Sequence, residues 1–399
     1  RGRQATVQVD LLELRGFRAW APDEPGTFRL EGDLNGMKIV TAGTATPFAG
    51  NIGVSGELTV SGIDISSIEK TFGSLGFTRS AGSLSVTARS NGASLFADGR
   101  IEAMLEGMAT TSGIDFAHPD FGAAKLAEGS IALNQVRFRQ DAAGAASLQG
   151  SIDTRFTGGS FRLADGSALS FNAINLRLPD LATEIPADGP PSIAGSPQLT
   201  AATLNIESPD LQGTIGRLDV ALGNLSLDPD RQGFGLSGPI EVEDMALIIP
   251  DSEPVSINVQ KARLELGEAK FRFGGGLTRI ELPLLLAATG MRVEIPDIPP
   301  QPGRRVPTLT VDAAELSGHL LPLLVEYTSA TGTAIRVAAP TLGARHFRFS
   351  NPEDETTNMV VSSETPRFRD VRVEVIVGKT LRVAGEAMLD ASALEVAMA

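Results

Sequence analysis

Long stretches of this chain alternate apolar and polar residues one for one. The pattern recurs at Leu58/Val60, Leu84/Val86, Ile101/Ala103/Leu105, Ile131/Leu133, Leu218/Val220/Leu222, Phe271/Phe273 and Val371/Val373/Val375. Successive side chains on an extended strand point to opposite sides, so each stretch predicts a strand with one dry face and one wet face. Gly, Asn and Asp punctuate the stretches at short intervals, as hairpin turns do. The reading is an all-β chain of about 18–24 strands. Near its C-terminus, Val371, Val373, Val375, Val377, Leu381 and Val383 all carry odd numbers. Antiparallel partners on one face then sum to an even number, for example Val377 with Leu381, across a three-residue loop Gly378–Lys379–Thr380 or a bulge.

The dipeptide Pro-Asp occurs seven times, at 22, 119, 179, 209, 229, 250 and 296, often after an apolar alternation, as in LSLDPD and MRVEIPD. Proline cannot donate to a sheet ladder, and Asp closes turns through its own side chain, so each copy predicts a strand end. Two Pro-rich stretches, 179–197 and 295–307, read as loops on a sheet rim or as linkers. They divide the chain into a β-groove segment (1–178) with a capping helix near 66–76, a β-meander segment (198–294) and a C-terminal β segment (308–399).

One short stretch breaks the alternation. In DISSIEKTFGSLGF, Ser66 and Glu69 have the spacing of a capping box, and Ile68, Phe72 and Leu75 follow at helical intervals. So short a helix must lie on something apolar, and the dry face of the sheet is nearest. It either completes an ordinary core or caps one end of an apolar trough. Residues 320–332, and more weakly 282–290, offer further short helices.

The surrounding stretch, GELTVSGIDISSIEKTFGSLGFTRSAGSLSVTA (56–88), resembles repeats of the AsmA-like proteins of Gram-negative envelopes, the family of TamB, YhdP and YdbH. The residues that carry the likeness are Asp64, Ile65, Ser66, Ile68, Gly82, Leu84 and Val86. The resemblance implies a long curled antiparallel sheet, a β-taco of repeating hairpins forming an apolar groove. It implies a periplasmic protein held at the inner membrane by an anchor that lies outside this sequence, and movement of phospholipid acyl chains between inner and outer membranes. Inner-membrane, outer-membrane or other envelope proteins are the protein partners it suggests. The lining residues expected from the alternation are Leu58, Val60, Leu84, Val86, Ile101, Leu105, Ile131, Leu133, Leu218, Val220, Leu222, Phe271, Phe273, Val373 and Val375. The groove-capping helix would contribute Ile68, Phe72 and Leu75. The competing expectation is a structural or assembly scaffold for envelope proteins, in which strand edges pair with a client.

Elementary physics bears on the same question. About twenty strands at ~4.8 Å spacing make a sheet of about 95 Å. A sheet that long, apolar on one face, must curl, split or be covered. A second sheet would close it as a sandwich, whereas acyl chains would fill a groove at ~0.8 kcal/mol per buried methylene. Aromatics make up only 5% of the residues, with one Trp and one Tyr, so the apolar mass is aliphatic and suits fluid chains. Carbohydrate platforms use exposed rings, which argues against a lectin.

Catalytic and ligand motifs are weak. Ser67 and Lys70 have S-x-x-K spacing without its companion motifs. Gly233, Gly235 and Gly238 fit G-x-G-x-x-G but precede a strand pattern, whereas phosphate binding needs a helix N-terminus. Asp228, Asp230 and Gln232 begin like a calcium loop that ends on Pro239 instead of Glu. His118, His319 and His346 lie far apart. A net charge of −14 repels phosphate backbones, which disfavours nucleic acid. Without cysteine there is no thiol nucleophile and no Cys-ligated zinc. The expectation is a non-enzymatic chain with no cofactor and no metal.

Overall fold

The computed structural model describes residues 6–65, 76, 78–120, 122–188, 191–209, 211–228, 233–250, 254–267, 270–274, 277–296, 308–328, 332–352, 358–376, 380–388 and 395–398. Among these residues the fold is all-β, a long antiparallel sheet that does not close into a barrel. The chain divides into two compact units. The first comprises Arg1–Asp165 with Phe171–Gln198, and the second Gly166–Ser170 with Leu199–Ala399.

In the first unit eight strands pair in chain order. They are β1 (Val7–Arg15), β2 (Gly26–Leu34), β3 (Met37–Thr46), β4 (Ile52–Asp64), β5 (Arg79–Leu95), β6 (Ile101–His118), β7 (Gly122–Gln140) and β8 (Ala146–Arg162). Each is antiparallel to the next. Asn35 and Gly36, both at positive φ (52° and 90°), make the tight β2–β3 turn that such a connection needs. A further hairpin joins β9 (Ala168–Ile185) to β10 (Ser192–Gly195).

The second unit runs through β11 (Gln198–Glu207), β12 (Gln212–Ala221), β13 (Gly223–Asp228), β14 (Gly233–Ile249), β15 (Val255–Leu266), β16 (Lys270–Gly274), β17 (Leu277–Pro296), β18 (Thr308–Thr328), β19 (Gly332–Arg345), β20 (Phe347–Pro352), β21 (Asn358–Ser363), β22 (Arg367–Ile376), β23 (Thr380–Met388) and β24 (Glu395–Met398). Its central ladder is β12–β14–β15–β17–β18. At β18 the ladder forks. Glu315–Thr328 pairs with β19, which continues to β22 and β23, while Thr310–Asp312 pairs with β20, which continues to β21 and β24.

Both units bend at an aligned row of residues. In β14, Asp244 lies at φ 52°, and in β17, Gly290 at φ 60°. Asp244 is held between the pairs Met245–Val259 and Glu243–Lys261, and Gly290 between Met291–Val259 and Thr289–Lys261. Regular strands put residues two apart on one face. Here residues three apart share one apolar cluster: Ile215 with Leu218, Val242 with Met245, Val259 with Ala262, and Ala288 with Met291. The left-handed residue rotates the chain, so the extra residue turns outward and the sheet creases. The first unit repeats the device with Gly113 (φ 61°) on β6 and Gly158 (φ 60°) on β8, each opposite Ala127 of β7.

Several expectations change in detail. The apolar runs at 282–290 and 320–328 are strand, not helix. Leu284, Leu285 and Leu286 pair with Leu266, Glu265 and Leu264 on one side and with Leu320, His319 and Gly318 on the other. A run of consecutive leucines suits a central strand as well as a helix, and two flanking ladders decide it. The stretch at 179–197 is not one loop, since β9 continues to Ile185 and β10 occupies Ser192–Gly195. Pro179–Asp180 therefore lies within β9, where the Asp180 carboxylate accepts bonds from the Ser196 backbone N–H (2.8 Å) and hydroxyl (2.9 Å). In the C-terminal hairpin Val375 faces Leu381 and Val373 faces Val383. The even-sum rule holds, but the register sits two residues from Val377–Leu381, and 377–379 lie outside the described residues. The capping-helix residues Ile68, Phe72 and Leu75, with Ser66, Ser67, Glu69 and Lys70, lie outside the described residues. So do 297–307 and 229–232.

Candidate apolar face

The pairing registers of the first unit line up mostly apolar residues in rows that run across seven or all eight strands. One row reads Leu12–Leu30–Thr41–Leu58–Ala88–Gly107–Leu133–Ile152. The next reads Val9–Gly32–Ile39–Val60–Val86–Ala109–Ile131–Thr154. A third reads Leu14–Phe28–Gly43–Gly56–Ser90–Leu105–Val136. Directly opposed residues point to the same side, so the three rows belong to one face. None contains an acidic or basic side chain. Shorter rows extend the face at either end, with Ile52–Leu95–Ile101 at one and Ile63–Leu84–Thr111 at the other.

The intervening positions carry the polar groups. Glu13–Arg29–Ala42–Glu57–Arg89–Glu106 forms one row of the opposite face, and Ser85–Thr110–Ser130–Arg155 another. Ser83 and Ser112 share a hydroxyl hydrogen bond of 2.8 Å. A shallow depression of about 480 Å³ on this side is lined by Ser83, Ser85, Thr110, Ser130 and Arg155. The sheet thus separates a charge-free, mostly apolar surface from a hydroxyl-rich and charged one.

Among the described residues, much of the apolar face is open to water, while Ile63 and Val136 within it are buried. Leu58 and Leu133 are each 38% exposed, and Val7, Val9, Leu12 and Leu14 of β1 are 56% to 67% exposed. Aromatic rings serve as local fillers where glycine removes a side chain. A Cβ on Gly43 would lie 2.9 Å from the Phe28 ring, and one on Gly159 would lie 2.0 Å from that of Phe171. This use explains how so few rings suffice.

The second unit also separates its faces, and fills the apolar one. Val242, Val259, Ala262 and Ala288 are buried, with Ile215, Leu218, Ile240, Met245, Leu286 and Leu316 packed on them. Its other face carries a charged lattice across β12, β14 and β15. Arg263 reaches Glu241 at 2.6 Å, Lys261 reaches Glu243 at 3.0 Å, and Arg217 reaches Asp219 at 2.6 Å. Hydrogen bonds to Asp219, Glu243 and Glu265 respectively raise the pKa values of Arg217, Lys261 and Arg263, with nearby carboxylate charge adding to the effect.

The expected lining residues therefore fall into two groups. Leu58, Val60, Leu84, Val86, Ile101, Leu105, Ile131 and Leu133 lie together on the exposed apolar face of the first unit. Leu218 faces Val242 and Val220 faces Ile240 in the second unit, and Leu222 is half-buried just beyond. Phe271 and Phe273 lie opposite Ile280 and Thr278, and Val373 and Val375 opposite Val383 and Leu381, which fixes their register alone. Sequence reading missed β1 to β3, whose Val9, Leu12, Leu14, Leu30 and Ile39 continue the same rows. Their alternation is visible in VQVDLLEL once a bulge between Val9 and Leu11 is allowed for.

Other chemistry is sparse. His118 accepts a bond from the Asp120 backbone N–H (3.1 Å), and His346 contacts Glu364 at 2.7 Å. Among the described residues no group of three or more His, Asp or Glu is arranged to hold a metal ion. Gly233 to Gly238 lie within strand β14. No described helix is long and apolar enough to cross a membrane. The chain matches no known family model, no curated protein and no solved structure. What the fold defines by itself is a class: an antiparallel β-sheet protein that is not closed into a barrel and that separates apolar from polar residues on its two faces.

Proposed function

We propose that the exposed apolar face of the first unit binds lipid acyl chains, and that the protein is a segment of a periplasmic lipid conduit between inner and outer membranes. The observation that carries this reading is the set of uninterrupted, charge-free rows across β1 to β8. Seven strand spacings of ~4.8 Å make each of the two full rows about 34 Å long. A bilayer's hydrocarbon core is ~30 Å thick and holds two chains end to end, so a row accommodates about two chain lengths. Each methylene withdrawn from water contributes up to ~0.8 kcal/mol, so a fully buried sixteen-carbon chain gains about 12 kcal/mol before ordering costs. Bare aliphatic rows hold such a chain without fixing its position, which a conduit requires. The likeness of residues 56–88 to AsmA-like repeats supports the same assignment.

The test is extraction of the purified protein followed by mass spectrometry, with photo-crosslinkers placed at Leu58, Val86 and Leu133 and, as controls, at Thr59, Thr87 and Ala132 on the other face. Copurifying phospholipid and crosslinks confined to the first set are expected. Labelling of both sets alike, or of neither, overturns the proposal. A polypeptide strand recovered in place of lipid would favour the scaffold role.

A further inference from the structure

The chain contains a single tryptophan, Trp20, and it is 82% exposed. It sits on the connection between β1 and β2, and that connection is held in shape. The Phe17 ring lies over Gly26, where a Cβ would come within 2.4 Å of it. The Ala21 N–H donates to the Arg18 carbonyl (3.2 Å), the Glu24 N–H donates to the Ala21 carbonyl (3.1 Å), and Arg18 pairs with Glu24 (3.2 Å). Pro22 and Pro25 restrict the chain further. One ring of this loop is thus used to fasten it while the other is directed into solvent.

The two following connections on the same end of the ladder carry apolar side chains as well. Phe48 is exposed between β3 and β4, and Leu95 is exposed where β5 gives way to β6. Consecutive connections on one end are two strand spacings apart, about 10 Å. The apolar surface also continues inward: Leu14 and Leu12 lead from the Trp20 loop into the rows of the open face. The charges here nearly cancel. Arg18 and Arg100 stand against Asp23, Glu24 and Asp98, with Arg18 and Arg100 both paired, and the Arg100 guanidinium lies 4.6 Å from the Phe96 ring centroid.

We infer that this rim is a membrane-contacting lip, seated in the interface of a lipid bilayer through Trp20 and Phe48, and that lipid passes between the bilayer and the open face along Leu14 and Leu12. Tryptophan has an apolar body and one N–H donor, which suits the headgroup boundary better than water or a dry core. A rim without excess basic charge does not need anionic lipid, so the contact is apolar and insensitive to salt. The passage step rests on the lipid-binding reading above, whereas the membrane contact stands without it.

Because Trp20 is the sole tryptophan, its own emission is the probe. The unmodified protein is titrated with phosphatidylcholine vesicles whose acyl chains carry bromine, at low and high salt. A blue shift and quenching at both salt concentrations are expected. The double variant W20A/F48A should float with vesicles at least about tenfold less well, as loss of two large, partly inserted apolar side chains requires. Its uptake of a fluorescent fatty acid from solution should match the parent. Emission that stays unshifted and unquenched at saturating vesicles overturns the lip, as does a double variant that floats like the parent. Quenching by vesicles without fatty-acid uptake by either protein supports the lip and removes only the passage step and the lipid-binding reading beneath it.

Discussion

Leu58 in the first unit and Val242 in the second occupy comparable places. Each sits mid-strand in an antiparallel ladder, in a row of apolar partners. Leu58 keeps 38% of its surface in water, and Val242 keeps 9%. Among the residues whose side chains are described, only Ile248 and Leu285 of the second unit join the strongly exposed large apolar side chains, whereas β1 to β7 contribute many. Both faces are written in the same alternating pattern. The difference teaches that alternation specifies an apolar face and leaves open what covers it. In the second unit small residues such as Ala262 and Ala288 sit beneath larger neighbours on either side of the crease, so the rows pack on one another. In the first unit the described residues leave more of the corresponding surface in water.

The comparison can be broken most directly by placing a charge in each face. Val242→Asp buries an unpaired carboxylate and should cost about 3–5 kcal/mol, enough to lower the melting temperature severely. Leu58→Asp leaves its carboxylate in contact with water and should cost under about 1 kcal/mol, while abolishing acyl-probe crosslinking at Val86 and Leu133. Equal losses in thermal unfolding would show that the two faces are covered alike.

A smaller effect separates the two creases. Gly113 and Gly290 have nearly the same φ, so alanine at either meets about 1–2 kcal/mol of left-handed strain. A Cβ at Gly113 would meet open space, whereas one at Gly290 would lie 2.4 Å from the Gln260 side chain. Gly290→Ala should therefore unfold at lower denaturant than Gly113→Ala. The reverse order would contradict close packing at the crease of the second unit.

The smallest expected effect concerns pH. Asp98 accepts bonds from the Arg100 backbone and side chain, which hold its carboxyl below the usual carboxylate value. Its folded pKa is depressed, so its contribution is present above the ordinary aspartate pKa and fades as pH falls through the depressed value. Asp98→Asn should therefore lower stability slightly near neutrality and leave it nearly unchanged at a pH well below the depressed value. Denaturant midpoints measured at both pH values check this.

Much of this fold was legible in period-2 runs such as Leu84/Val86 and Ile131/Leu133, because each strand with one wet face announces itself. The Gly, Asn and Asp punctuation between runs announced hairpin turns such as Asn35–Gly36. Two things were not legible. Consecutive leucines at 282–286 have no face preference, so strand and helix could not be told apart without the ladders on both sides. The creases were hidden because each breaks the period only once, shifting the apolar spacing from two to three at Val242/Met245 and Val259/Ala262. The eight expected lining residues of the first unit share a face because parity survives between breaks. The Trp20 rim carried no periodic signal, since its meaning depends on exposure.

The aligned creases also restrict how such a chain can change length. Loss of one residue from β15 alone would carry its half of the row out of line with β14 and β17 and turn the remaining apolar side chains toward the ion-paired surface. Duplicating a whole hairpin copies the bend together with both flanking registers and disturbs nothing. Sheets of this kind should therefore vary among relatives by whole hairpins, with insertions and deletions inside strands confined to positions where both neighbours change together.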